Sequence, residues 1–97
     1  MFDALINHIF LSFWTGEKKV GPNKEVQLRK TCEIYGDAVY DITWTLRYIY
    51  KNGTTSHSVN ISDRANKWDL RKTIKKIEEK VLPDKIKEVI EEGKKHI

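Results

Sequence analysis

The chain has one cysteine and two prolines in 97 residues, and no apolar run long enough to cross a bilayer. Each scarcity excludes something. A lone Cys32 forms no internal disulfide, and Met1-Phe-Asp-Ala lacks the basic stretch that opens a secretory signal, so a reducing, cytoplasmic compartment and no membrane partner are expected. No internal repeat and no low-complexity segment is present.

Catalytic signatures are also missing. The chain has no Gly-rich phosphate loop, no nucleophile elbow and no H-E-x-x-H. Its three histidines, His8, His57 and His96, fall on different elements, and none lies at metal-ligand spacing from another His or from Cys32. Glu33 and Asp41 form a carboxylate pair without a lysine at nuclease spacing, and Cys32 reads as a small core filler. The expectation is a protein that is not an enzyme and holds neither cofactor nor metal.

What is present is apolar bulk and localised charge. Hydrophobic residues make up 39% and charged ones 33%, with three Trp, four Tyr and three Phe, which is enough to build one core and a single domain over residues 1–97. Formal net charge is +4. Seven Lys or Arg against four Asp or Glu fall in residues 62–82, so +3 of the excess sits there, a local basic surface that suits an anionic partner.

Periodicity orders the chain. Phe2, Leu5, Ile6, Ile9, Phe10 and Phe13 recur at helical intervals, although residues 8–14 also suit a strand. Residues 15–23, with two Gly and a Pro among charges, read as a loop. Alternation then puts Val26, Leu28, Cys32 and Ile34 on one face of a strand, and Tyr40, Ile42, Trp44, Leu46, Tyr48 and Tyr50 on one face of the next. Asn52-Gly53 suits a two-residue type I′ turn, which predicts Tyr48 opposite His57, Leu46 opposite Val59 and Trp44 opposite Ile61. A three-residue loop over 36–38 sets Ile34 against Tyr40 and Cys32 against Ile42. Lys30 then points inward opposite Trp44, on what this reading makes an edge strand. Leu70, Ile74, Ile77 and Val81 form a helical stripe with Asn66 as N-cap, broken or kinked by Pro83. Leu82, Ile86, Val89 and Ile90 define a last helix that Gly93 would end. The fold class is α+β, a three-stranded antiparallel meander with helices packed on one face, in the order α-β-β-β-α-α.

Two surfaces stand out. The polar sheet face would present Gln27, Arg29, Thr31, Thr43, Thr45, Arg47, Ser56, Ser58 and Asn60, side chains that suit base edges and phosphates but are also what solvent alone selects on a half-buried sheet. Trp68 lies away from the helical stripe, among Arg64, Arg71, Lys72 and Lys75. There it is either an exposed ring for stacking or anchoring, or a lid folded over the sheet edge.

The α-β-β-β-α order with Gly21-Pro22 before a strand resembles a double-stranded RNA-binding domain. That family opens its last helix with Lys-Lys-x-Ala-Lys, where this chain has Asn66-Lys-Trp-Asp-Leu-Arg-Lys72. A three-stranded sheet followed by a helix is similar as well to the sheet-reading DNA-binding domains of phage-type integrases. Both likenesses are of topology, which does not carry function, and no family is assigned. The expected role is a small non-enzymatic regulatory module that contacts an anionic partner, nucleic acid first, through the polar sheet face and the basic Arg64 to Lys76 helix. The alternative is a protein–protein module, an inhibitor or an edge-strand homodimer, with Trp68 as anchor.

Overall fold

The computed structural model describes residues 15–36 and 38–96; the segment 2–14, read above as a helix or strand, lies outside them. Four strands, β1 (Gly16–Val20), β2 (Val26–Tyr35), β3 (Val39–Tyr48) and β4 (Val59–Asn66), precede helix α1 (Leu70–Lys76), a π-helical turn (Ile77–Val81) and helix α2 (Leu82–Lys95). The strands form one antiparallel sheet in chain order. The described fold is thus α+β with four strands, not three.

The additional strand comes from the stretch read as a loop. Gly21-Pro22-Asn23-Lys24 closes a tight turn in which the Lys24 N–H donates to the Gly21 carbonyl at 3.1 Å, with Gly21 at φ 100° and Lys24 at φ 53°. That turn sets Val20 opposite Val26 and Lys18 opposite Leu28. With Val20 as the lone apolar residue of β1, alternation gave no signal. Its pairing with the backbone of β2 makes the strand.

The β2–β3 pairing follows the alternation pattern, with Ile34 opposite Tyr40, Cys32 opposite Ile42 and Lys30 opposite Trp44. The β3–β4 register also agrees at Leu46–Val59 and Trp44–Ile61. Near the tip it differs. The Gly53 N–H donates to Tyr50 and the Tyr50 N–H to Thr54, so Lys51, Asn52 and Gly53 form a three-residue loop, with Gly53 at φ 89°. Tyr48 therefore exchanges hydrogen bonds with Ser56 instead of facing His57, and one extra residue before Val59 restores the register.

One face of the sheet carries the core. Val26, Leu28, Tyr40, Ile42, Trp44, Leu46, Tyr48 and Ala65 pack against Leu70, Ile74, Ile77, Leu82 and Val89 from the helices. Lys30 belongs to this layer and is fully buried, on an interior strand because β1 covers β2. Its ammonium pairs with Glu78 and lies 5.4 Å from the Trp44 ring centre. Glu78 also accepts the Trp44 indole N–H at 3.1 Å. One carboxylate from the π-helical turn thus satisfies two buried donors. Burial lowers the Lys30 pKa to about 8, against the raising effects of the hydrogen bond and charge of Glu78.

Pro83 does not end the helix. The Leu82 N–H reaches back to Ile77, an i−5 bond, so the wide turn absorbs the proline at the start of α2. Gly93 does not end α2 either; the helix runs on to Lys95. A Cβ at Gly93 would come within 2.2 Å of the Tyr48 ring, so the missing side chain is what lets α2 approach β3. Asn66 is the last residue of β4, and its Oδ1 accepts the N–H groups of Trp68 and Asp69 at 3.0 Å each. It caps the turn leading into α1, while Asp69 occupies the helix N-cap position.

Candidate functional site

The outer sheet face follows from the register. Glu17, Arg29, Thr45 and Asn60 make one cross-strand row, and Lys19, Gln27 and Arg47 another. Thr31, Thr43 and Ser62 form a third, then Glu33, Asp41 and Arg64. None of these side chains is buried. Ser56, expected here, sits opposite Tyr48 instead.

Its charges are interleaved. Arg29 is held by Glu17 across β1 and β2, and Arg64 lies 3.4 Å from Asp41. Arg64 was read as part of the basic helix; it is a strand residue with its guanidinium 5.4 Å from the Tyr35 ring centre. Tyr35 in turn donates its hydroxyl to Glu33 at 2.6 Å, and that bond raises the phenol pKa. Acidic partners on two of the arginines leave the face close to balanced in charge, a weak field for a polyanion.

The charge is less balanced where β4 meets α1. A shallow groove there is lined by Arg64, Asn66, Asp69, Lys72, Thr73 and Lys76, three cations to one carboxylate. Helical spacing accounts for the choice. Lys72 and Lys76 are one turn apart on one flank of the Leu70–Ile74–Ile77 stripe, and Arg71 and Lys75 are one turn apart on the other. The basic helix therefore presents two separate pairs, and one of them enters the groove.

Trp68 stands in the turn beside this groove, 81% exposed. It does not fold over the sheet edge: its backbone is pinned by Asn66, and the Lys67 ammonium lies 4.8 Å from its ring centre. Of the residues singled out in the sequence, Arg64 and Lys72 line the groove together, and Trp68 stands in the turn between its lining residues Asn66 and Asp69. Arg29, Arg47 and Asn60 lie on the outer face and Arg71 and Lys75 on the far flank of α1. Lys67 and Tyr35 were not singled out, and Lys76 only as the end of the basic helix. Lys76 was legible one turn beyond Lys72, and Tyr35 shares the parity of Arg29, Thr31 and Glu33.

Among the described residues no cluster of three or more His, Cys, Asp or Glu is arranged to hold a metal ion, and no helix is long and apolar enough to span a membrane. Cys32 is half-buried with its thiol pKa raised by burial, which disfavours the reactive thiolate. Compared with known proteins, the chain matches no family model, no curated protein and no solved structure.

Proposed function

We propose that the domain is a nucleic-acid-binding module whose contact surface is the corner formed by Trp68 and the Arg64–Lys72–Lys76 groove. The observation that carries this reading is an 81% exposed indole, with the Lys67 ammonium 4.8 Å from its ring centre, in a capped turn whose Asn66 and Asp69 also line the groove of Arg64, Lys72 and Lys76. An exposed ring contributes little to folding, whereas a ring with a cation beside it can stack on a base while neighbouring cations meet phosphate. The sheet face contributes less than its sequence promised, because Arg29 and Arg64 are each matched by an acid.

A protein partner anchored on Trp68 is the second reading. Its edge-strand homodimer form is disfavoured by the sheet edges. By register, Lys18 of β1 shares the inner face with Leu28, and Asp63 of β4 shares it with Ile42. Inward charges on both edges resist strand addition.

Fluorescence anisotropy with labelled oligonucleotides at about 50 and 200 mM salt tests the proposal. Binding that weakens with salt, and weakens further in the Lys72→Glu/Lys76→Glu variant, is the expected result. No binding at the lower salt overturns it.

A further inference from the structure

Resting on the reading above, we propose that the ligand is a single strand with unpaired bases, stacked on two aromatic platforms, Trp68 and Tyr35, rather than a duplex. Tyr35 is 46% exposed at the end of β2. It lies opposite Val39, itself 40% exposed, and Val39 lies opposite Asn66. The Lys67 N–H donates to the Ala38 carbonyl at 3.0 Å, which ties the turn carrying Trp68 to the loop between β2 and β3. Both rings therefore stand at the same end of the sheet, on backbone fixed by hydrogen bonds. Each has its own cation, Arg64 at Tyr35 and Lys67 at Trp68. Between them runs an apolar edge at Val39.

That combination recognises bases and phosphates together. Each ring offers a face to a base, which stacks whatever its identity, while Arg64, Lys72 and Lys76 meet the backbone. A duplex hides its base faces and asks instead for a basic row that follows a groove. Here α1 splits its cations between two flanks, so neither the helix nor the charge-balanced outer sheet face offers such a row. The site suits splayed bases of either DNA or RNA.

The test compares four probes of one length by anisotropy: a DNA single strand, the RNA of the same sequence, the blunt DNA duplex, and an abasic single strand that keeps every phosphate. The intact strands should bind at least about tenfold more tightly than the duplex or the abasic strand, because each stacked base is worth roughly fivefold to a hundredfold in affinity. Binding of either intact strand in this way supports the proposal, and their ratio names the natural source. Tyr35→Ala should lower single-strand affinity about fivefold to tenfold, while Tyr35→Phe, which keeps the ring and loses the bond to Glu33, should bind like the native protein. Equal affinity for intact and abasic strands, with Tyr35→Ala unchanged, overturns the stacking inference and leaves phosphate binding in the groove standing. No affinity for any probe overturns both.

Discussion

Arg29 and Lys30 are neighbours in β2, and each pairs with a glutamate, yet the two pairs belong to different regimes. Arg29–Glu17 lies on the outer face with both side chains largely in water, where screening and side-chain entropy leave an ion pair little net value. Lys30–Glu78 lies under the helices, its lysine side chain fully buried and its glutamate about a quarter exposed. There the partner is what makes a buried charge tolerable. The two described tryptophans divide the same way. Trp44 is fully buried with its N–H on Glu78, and Trp68 is exposed beside cations. Polar groups on the inner side hold the fold, and those at the Trp68 corner are available to a ligand.

The largest effect should come from separating the inner pair. Glu78→Gln keeps an acceptor for the Trp44 indole but takes the carboxylate charge from the buried Lys30, and should cost about 3 kcal/mol in a urea melt. Lys30→Met combined with Glu78→Gln should recover most of that loss. A double variant as unstable as the single would show that the charge is not the cause.

Close packing on the same side comes next. Gly93→Ala gains helix propensity but drives a methyl group into the Tyr48 ring, and the collision should win by about 1–3 kcal/mol. Thermal denaturation of Gly93→Ala checks this. A stabilised variant would mean that α2 shifts freely over β3.

Lys30 also gives the fold a pH signature. Its folded pKa of about 8 lies below the ordinary lysine value of 10.5, so between these values the unfolded chain binds more protons than the folded one. Stability should therefore rise as pH goes from about 8 to about 10.5, relative to Lys30→Met, which removes the titrating group while other lysines and tyrosines titrate equally in both proteins. A flat difference over this window would place the Lys30 ammonium in water, and a falling one would mean that Glu78 outweighs burial.

The smallest effects belong to the outer face. Arg29→Ala and Glu17→Ala should each change stability by less than about 1 kcal/mol in the same urea melts, and by less still in high salt. A loss near that of Glu78→Gln would erase the contrast between the two faces.

How far the sequence could be read depended on whether apolar side chains marked the feature. The β2–β3 register and the aromatic core face were legible because Tyr40, Ile42, Trp44, Leu46 and Tyr48 alternate without interruption. β1 was hidden because Glu17, Lys18 and Lys19 carry no alternation. The three-residue loop at Lys51–Asn52–Gly53 escaped because Asn-Gly serves more than one turn, and the compensating extra residue left the register at Val59 intact. Gly93 resembles a helix stop in one dimension, and only the approach of Tyr48 reveals its role. Lys30 was placed inward by parity alone, but its partner 48 residues away on a π-helical turn was out of reach of any local pattern. At the candidate site, parity put Arg29 and Arg47 on the outer face together with Glu33 and Asp41, and only Glu17, in the stretch read as a loop, was out of its reach. Spacing removed Trp68 from the helical stripe but left it open whether the ring is exposed or folded over the sheet edge; the structure has it exposed.

The central claim is that Trp68 serves binding and not folding. Its most direct test is an anisotropy titration of Trp68→Ala with a labelled single-stranded oligonucleotide, on protein whose urea midpoint has been checked. The account predicts stability within about 0.5 kcal/mol of the native protein and affinity weakened at least about fivefold. Native affinity with a lowered urea midpoint would contradict it.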